Sequence, residues 1–352
     1  MSYTAINNST DYFNTKLYEG NGSSPRSITG IGFQPDWTWT KNRDNTNGHG
    51  LFDAVRGYTT GKGLSTHNAN AEGSADAYGY LSSRDSDGYT MTQGGSGMTM
   101  NNTNGESYVS WNWKANGTGV SNTDGSITST VSANTTSGFS IVSYTGTGSV
   151  ATVGHSLGTT PSMIIIKNRS GVADWLVYHK SIGNTGGLYL NSTGVTVTAS
   201  GFFNNTSPTS SVFTIGTGGT PNNNGSNYIA YCFAEVKGFS KMGSYVGNGN
   251  ADGTFVYTGF KPAWLLVKQT TGASQNWYLW DNKRDTFNVT DTPLKPDEAL
   301  AESGIGAYNI DLLSNGFKFR GTETQINASG QTYIYMAFAE EPLVGDNPAT
   351  AR

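Results

Sequence analysis

The feature that most constrains this chain is a skeleton of landmarks that returns three times in the same order. Each repeat begins with Tyr-x-Gly-x-Gly, at Tyr18, Tyr144 and Tyr245, and a proline follows 17 residues later in every case. The proline opens an apolar run that ends in lysine six residues further on. Because chance matches do not keep both order and spacing, we expect three copies of one folding unit.

Two further landmarks complete each repeat. An apolar and aromatic segment ends in an acid or a histidine, at Asp53, His179 and Asp281, and a closing segment begins with Gly-x-x-Tyr. Large apolar residues alternate along the closing segment, which predicts a strand with one face in a core. These residues are Val109, Trp111 and Trp113, then Ile229, Tyr231 and Phe233, then Ile334, Met336 and Phe338. The opposite face is mostly smaller, and we expect a neighbouring element or repeat to approach there.

Turn and strand signals dominate the rest of the chain. Asn-Gly and Asp-Gly pairs separate short runs rich in β-branched and aromatic residues, which predicts hairpins with at least six strands per repeat. One shared strand is expected to open at Gly88-Tyr89, Gly201-Phe202 and Gly316-Phe317. Only 296–302, which starts with Pro and acids, predicts a helix, as an insertion without counterpart in the other repeats. The predicted fold is all-β, with three tandem homologous β-sandwich domains of jelly-roll or lectin-like type.

The landmarks also set the expected domain boundaries. Residues 116–137 contain no aromatic residue and one charge, Asp124, and are interpreted as a linker or an exposed strand. The expected order is an N-terminal arm with the first sandwich at 1–115, a linker at 116–137, the second sandwich at 138–236, the third at 237–342 with the short helical insertion, and a C-terminal tail at 343–352.

Charge and hydropathy exclude several classes of function. The net charge of the 352 residues is −4, and charged residues make up only 13%, so the chain lacks the basic field that nucleic acid requires. No apolar run is long enough to span a membrane, and the first residues do not resemble a secretory signal peptide. Cys232, the single cysteine, lies in an apolar strand and is expected to be a small buried residue. We therefore predict neither nucleic-acid binding nor membrane insertion, and expect synthesis and folding in a cytoplasm.

Two patterns resemble catalytic motifs, and both have a simpler interpretation. Gly154-His155-Ser156-Leu157-Gly158 matches the nucleophile elbow of hydrolases, but it precedes a strand and no helix follows. Asp53 and Asp281 would suit glycosidase chemistry if they faced one cleft, but a position repeated in three domains is expected to end a strand.

The possible metal ligands, the repeated lysines and the tryptophans also have simpler structural interpretations. Asp85-Ser86-Asp87-Gly88 resembles the start of a calcium loop, although a hairpin turn explains it better, and the four histidines lack metal-ligand spacing. Lys41, Lys167 and Lys268 are expected to lay their stems over aromatic neighbours with the charge in water. The tryptophans are expected first as core residues and second as sugar platforms: Trp37, Trp39, Trp111, Trp113, Trp264, Trp277 and Trp280. The sequence thus predicts no catalytic, cofactor-binding or metal-binding residue, and no cofactor, and leaves ligand-binding residues unknown.

The first repeat carries a family resemblance. The segments TDYFNTKLYEGNG, GFQPDWTWTKNR, HGLFDAVRG and ESYVSWNWKANG resemble a repeated β-domain in structural proteins of tailed, mainly marine, bacteriophages. The resemblance implies a tail-fibre-like or virion protein that forms multimers and has no catalytic residue to carry over. It is close over residues 10–115 and looser in the other two repeats.

The expected function is that of a virion structural protein, as a fibre, an appendage or a capsid decoration. It would act by assembly and surface display, with other virion proteins as partners, as a homo-oligomer, and be released by lysis. Two alternatives stay open, a receptor-binding lectin for host surface glycan and a glycan depolymerase. We expect specificity where the repeats differ, at His49 to Asp87, 203–211 and 282–308.

Overall fold

The computed structural model describes residues 4–304 and 306–342 of the chain. Within them the protein is all-β, as predicted, and no helix exceeds four residues. The predicted tail at 343–352 lies outside the described residues.

Each repeat contains seven or eight strands, in agreement with the prediction of at least six. The first contains β1 (Phe13–Glu19), β2 (Arg26–Thr29), β3 (Trp37–Asn42), β4 (Gly50–Asp53), β5 (Tyr80–Asp85), β6 (Gly88–Thr92) and β7 (Ser107–Trp113), with 3-10 turns at Ser9–Asp11 and Asp76–Tyr78. Then follow β8 (Val120–Asn122) and β9 (Ser129–Asn134). The second contains β10 (Phe139–Thr145), β11 (Ala151–Gly154), β12 (Met163–Asn168), β13 (Leu176–His179), β14 (Gly186–Tyr189), β15 (Val197–Thr198), α1 (Ser200–Phe203), β16 (Val212–Ile215), α2 (Gly219–Asn222) and β17 (Asn227–Phe233). The third contains β18 (Ser240–Val246), β19 (Phe255–Tyr257), β20 (Phe260–Gln269), β21 (Trp277–Asp281), β22 (Ile310–Leu313), β23 (Gly316–Phe319), α3 (Thr324–Asn327) and β24 (Thr332–Pro342).

The same antiparallel sheet recurs in all three repeats. Its strand order is β1-β7-β3-β4 in the first, β10-β17-β12-β13 in the second and β18-β24-β20-β21 in the third. The closing strand, with its alternating large residues, lies inside the sheet each time, so both of its edges pair with neighbouring strands. A smaller antiparallel sheet accompanies each main sheet, with the orders β2-β6-β5, β11-β16 and β19-β23-β22.

The large faces of the three main sheets share one central core. A single cluster of buried side chains contains Trp37 and Trp111 of the first repeat, Tyr231 of the second, and Trp264 and Met336 of the third. The Trp37 ring stacks on the Tyr231 ring at a centroid distance of 4.7 Å, which joins two repeats directly. The alternating positions are therefore core residues, as predicted, but they form the core between repeats.

A separate cluster lies on the opposite face of each main sheet. In the first repeat Phe52 of β4 packs with Ile28 of β2 and Leu81 of β5, and equivalent clusters exist in the second and third repeats. Of the two alternatives expected for the smaller face, a neighbouring element of the same repeat approaches there, and not another repeat. The space that the three main sheets enclose is filled by indole and phenyl rings, whereas the short strands of the same repeat pack against the smaller side chains.

Residues 116–137, expected as a linker or an exposed strand, extend the main sheet of the second repeat. Strand β9 pairs with β10 from Ser129 to Asn134, and β8 pairs with β9. The eight strands of this sheet run in the order β15-β14-β13-β12-β17-β10-β9-β8. The connection between the first two repeats is therefore structured over the two strands.

Two local predictions are wrong. Gly201-Phe202, which was expected to open a strand shared by the repeats, lies in α1. The strand of the second repeat that corresponds to β6 and β23 is β16, because Phe213 pairs with Val153 in the same way as Tyr89 pairs with Ile28. Residues 296–302 form a turn at 296–297 and no helix. Their polar groups are engaged elsewhere, since the Pro296 carbonyl accepts a hydrogen bond from Thr66 Oγ1 and the Asp297 carboxylate accepts the Trp277 N–H.

Candidate functional site

Three equivalent seams join the repeats, and the three repeated lysines lie in them. We define the seams by their residues: 167–175 against 65–72, 268–277 against 189–196, and 41–49 against 295–302. At each seam one backbone amide donates to the facing strand end: Glu72 N to Arg169 O, Thr196 N to Thr270 O and Glu302 N to Arg43 O. Residues 296–302, predicted as an insertion without counterpart, therefore have a counterpart in both other repeats.

The three lysines are buried in the seams, not in water as predicted. Lys167 Nζ donates to Ala69 O at 2.9 Å, and Lys268 Nζ donates to Thr193 O at 2.7 Å, in each case across a seam. Lys41 Nζ donates to Asn42 O and Asn45 O. Burial lowers the pKa of Lys41 to about 7 and the pKa values of Lys167 and Lys268 to about 8. Carbonyl oxygens accept an ammonium proton without a counter-charge, so Lys167 and Lys268 connect two repeats, whereas Lys41 bonds within the first repeat.

At one repeated position a ring nitrogen donates a hydrogen bond across each seam. Trp175 Nε1 donates to Ser65 O at 3.0 Å, and Trp277 Nε1 donates to Tyr189 O at 2.9 Å. His49 takes this place in the first repeat, with Nε2 3.0 Å from Lys295 O. Trp39 Nε1 donates to His49 Nδ1, so the Nε2 nitrogen carries the proton. Trp277 and the other tryptophans named from the sequence are buried, as the core interpretation predicted.

The repeated acid or histidine at the end of a strand also connects repeats. Asp53 accepts the Tyr231 hydroxyl, and Asp281 accepts Trp111 Nε1 at 3.0 Å. His179 Nε2 lies 3.2 Å from Tyr335 O and donates to it, because Nδ1 accepts the Ser181 N–H. Asp53 and Asp281 are each paired with an arginine three residues later, and both ion pairs are buried. The two carboxylates thus carry structural bonds.

The G-x-S-x-G segment forms a turn between β11 and β12. Ser156 has a φ of 55°, a left-handed conformation that hydrolase nucleophiles also adopt. Its hydroxyl accepts a hydrogen bond from Asn122 Nδ2 at 2.9 Å, while His155 Nδ1 accepts the Leu157 N–H. The hydroxyl is thus bonded to an amide, and His155 is oriented by its own turn.

Asp85, Ser86 and Asp87 turn the hairpin between β5 and β6, as the simpler interpretation predicted. The Asp87 carboxylate accepts the amides of Gly32 and Gly30, which lowers its pKa. The Asp85 carboxylate accepts the hydroxyls of Ser83 and Thr90. Across the described residues, no three His, Cys, Asp or Glu side chains gather in a way that would hold a metal ion.

One cavity of about 380 Å³ opens beside the seam between the first and third repeats. It is lined by Thr46, Asn47, Gly48, Ser65, His67, Asn68, Asn70, Ser74, Ala75, Tyr78, Thr99, Met100 and Ala299. Its volume falls within the usual range for small-molecule sites. Most of these residues belong to the loops between β4 and β5, inside the 49–87 region where specificity was expected.

The chemistry of the cavity is polar and uncharged. None of the described side chains that line it is an Asp, Glu, Lys or Arg. Burial and the nearby charge of Lys41 lower the pKa of His67, so its imidazole is neutral at pH 7. Asn68 Nδ2 donates to His67 Nε2 at 3.1 Å, which leaves the proton on a buried Nδ1 that has no partner among the described residues. Sequence reasoning missed this site because its residues share no spacing motif.

A second surface is the open edge of β19 in the third repeat. Phe255 and Tyr257 point outward from this strand and are 43% and 51% exposed. Strand β19 pairs with β23 in the same register in which β2 pairs with β6. Ser27 and Thr29 therefore occupy, in the first repeat, the positions of Phe255 and Tyr257. Only the third repeat therefore presents aromatic rings along this edge.

Comparison with known proteins identifies one domain family. Residues 8–342 match a domain of unknown function (DUF7483), and the match runs across all three repeats. No curated protein and no solved structure matches the chain. The helices of the described part of the chain are all too short to cross a membrane.

Proposed function

The chain belongs to the DUF7483 family, and we propose that it is a structural protein of a bacteriophage virion, acting through assembly and surface display. The proposal rests on the resemblance of residues 10–115 to repeated domains of phage structural proteins and on the surfaces described above. A fibre, an appendage and a capsid decoration would all use the chain in this way.

The finer description of the fold belongs to the same proposal. Each four-stranded main sheet faces a smaller sheet of the same repeat across a separate apolar cluster. Two antiparallel sheets with a core between them are typical of a β-sandwich. We propose three tandem homologous sandwiches of jelly-roll or lectin-like type, joined through the central core into one rigid body.

The open edge of β19 supports assembly most directly. In the second repeat the equivalent strand, β11, is covered by the chain itself, because Ile127 forms a parallel bridge with Val153 and donates its N–H to Thr152 O. The segment that covers β11 connects the first two repeats. Six residues, 234–239, connect β17 to β18, and within 4–304 and 306–342 no strand or isolated bridge pairs with the outer edge of β19; the Tyr257 carbonyl accepts a bond from Lys241 Nζ at 3.1 Å.

A second copy of the chain is the partner that fits this edge. An exposed strand edge pairs with extended chain, and outward aromatic rings add apolar area to the contact. Of the eleven exposed large apolar residues, six lie in the third repeat: Val246, Phe255, Tyr257, Phe287, Val289 and Leu300. More than half of the exposed large apolar residues of the described chain therefore lie in one repeat.

Sedimentation of the purified chain tests the assembly. The full chain is expected to form an oligomer, and the double variant Phe255→Ser/Tyr257→Thr, which restores the polar pattern of the first repeat, is expected to sediment as a monomer. A matched control, Val172→Ser, removes an exposed apolar residue of the second repeat and should leave the oligomer intact. A wild-type monomer would contradict self-assembly.

The virion itself tests the location. Mass spectrometry of purified particles of a phage that carries this gene should detect the chain at a fixed ratio to the capsid protein. Particles that lack the chain, from cells that contain it, would refute the display role.

A receptor-binding lectin is the second candidate, and the uncharged cavity of the first repeat favours it. A glycan depolymerase would need two carboxyl groups across a cleft. Asp53 and Asp281 each lie buried beside an arginine, which supports a structural role for them. Host polysaccharide that stays the same length after incubation with the protein would rule out the depolymerase.

A further inference from the structure

We propose that the cavity of the first repeat binds one neutral saccharide unit, with Tyr78 as the stacking platform and the amides of Asn47, Asn68 and Asn70 as hydrogen-bonding groups. This inference goes beyond the display role and does not depend on it. It rests on the composition of the cavity, on side chains there that lack protein partners, and on how firmly its walls are held.

The lining of the cavity selects the charge of the ligand. A carboxylate, phosphate or ammonium ligand would enter a site of 380 Å³ without a counter-charge, and a buried charge without a partner is unfavourable. Amides and hydroxyls both donate and accept hydrogen bonds, which matches a ligand that carries many hydroxyl groups. The chemistry of the wall therefore fits a neutral, polyhydroxylated ligand.

Several groups at the cavity are available to a ligand. Within the described part of the chain, the side chains of Asn47, Asn70 and Tyr78 form no hydrogen bond. Tyr78 is 50% exposed at the rim, where its ring can cover the apolar face of a sugar and its hydroxyl stays in water.

The walls of the cavity are held in place by contacts on both sides. The turn that carries Tyr78 is fixed because Asp76 accepts the amides of Lys62 and Gly63, and the Tyr78 carbonyl accepts the Met100 N–H at 3.1 Å. His67 packs so closely on Gly48 that a Cβ there would lie 2.0 Å from its Cε1 atom. A site that is formed in advance loses less freedom when it binds.

Saturation-transfer NMR on the full chain tests the proposal. The probes are the methyl glycosides of glucose, galactose and mannose, with methyl glucuronide as a charged comparison. At least one neutral probe is expected to bind, and the charged probe is expected to bind at least tenfold more weakly, a factor equal to about 1.4 kcal/mol. The absence of binding by all three neutral probes, or equal binding of the glucuronide, would overturn the proposal.

Two variants locate the binding. Tyr78→Ala and Asn70→Ala remove exposed side chains, so both proteins are expected to fold and to lose most of the transfer signal. Val172→Ala is the matched control, since this valine is 78% exposed, lies in another repeat and lines neither the cavity nor the β19 edge. Binding that survives Tyr78→Ala and Asn70→Ala, or that is lost in Val172→Ala, would place the saccharide elsewhere.

Discussion

The Tyr231 hydroxyl donates a hydrogen bond of 2.8 Å to Asp53 Oδ2, although the two residues lie 178 positions apart and in different repeats. Asp53 also accepts the amides of Val55 and Arg56 and forms a buried ion pair with the Arg56 guanidinium. One carboxylate thus ends a strand, caps the following turn and joins two repeats. Asp53, which the sequence predicts as the end of a strand, is therefore also part of the contact between the first and second repeats.

Loss of this bond should be measurable in unfolding experiments. Tyr231→Phe removes the hydroxyl from a buried carboxylate and is expected to lower the free energy of unfolding by about 2 kcal/mol. Asp53→Ala leaves the Arg56 charge buried and is expected to lower it by about 3–5 kcal/mol. Urea titration gives both values, with Tyr257→Phe as the exposed control. Equal midpoints for Tyr231→Phe and the wild type would contradict the role of the bond.

The shared core predicts that the whole chain unfolds as one unit. An isolated second repeat, residues 138–236, would expose the large face that contains Ile229, Tyr231 and Phe233, so it is not expected to fold as a monomer. Calorimetry of the full chain should show one transition whose calorimetric and van't Hoff enthalpies agree. Three separate transitions, or a folded monomer of the isolated repeat, would show that each repeat is stabilised independently.

The buried lysines predict a rise in stability with pH. The pKa of Lys41 is about 7 in the folded state, against about 10.4 for an unfolded chain. Below pH 7 both states hold the proton; between about pH 7 and 10 the unfolded state holds more protons, so the free energy of unfolding increases with pH. Each lysine contributes at most about 1.4 kcal/mol per pH unit. Lys41→Met should reduce the slope measured by urea unfolding between pH 7 and 9.

The control for this experiment is Lys237→Met, which removes the charge of an exposed lysine. A slope that falls equally in Lys41→Met and Lys237→Met would show that burial is not the cause.

The second repeat allows a test of the ion-pair position by exchange. His179 and Ile182 stand where the other repeats have Asp53 and Arg56, and Asp281 and Arg284. His179→Asp places a buried carboxylate opposite the Tyr335 carbonyl and is expected to lower the free energy of unfolding by about 3–5 kcal/mol. Addition of Ile182→Arg should recover part of this loss, as a double-mutant cycle would measure. Additive effects of the two changes would show that positions 179 and 182 are not equivalent to the ion-pair positions of the other two repeats.

His179 also predicts a pH dependence on the acid side. Burial lowers its pKa to about 4, against about 6.5 for an unfolded chain. Between pH 6.5 and 4 the unfolded state binds more protons, so the free energy of unfolding falls as the pH decreases. In His179→Asn, urea unfolding between pH 6.5 and 4 should show a smaller decrease than in the wild type. An unchanged decrease would assign the effect to other groups.

Particular residues show which features of the fold the sequence alone could predict. Asn-Gly turns and alternating runs such as Val109 to Trp113 predict the strands, because turn chemistry and the two-residue period of a strand are local properties. Local properties do not state which sheet a face meets, so the large face was assigned to a core within each repeat. The helix predicted at 296–302 failed for the same reason, since the contacts of Pro296 and Asp297 lie in residues far along the chain.

The sequence also predicted only part of the candidate site. The sequence located the loops between His49 and Asp87 as the place where the first repeat differs, and most of the cavity lies there. It did not indicate that Asn47, Asn70 and Tyr78 meet around one cavity, because residues that meet only through folded loops share no spacing.

By itself the sequence determined that the chain is all-β and that the landmarks occur three times, because both follow from the period and spacing of residues. Only the tertiary structure decided what the repeated lysines, tryptophans and acids do. The lysines and the acids bond to backbone or side-chain groups, several of them in another repeat, and most of the tryptophans pack in the shared core; these partners are set by the packing of three sheets around one core.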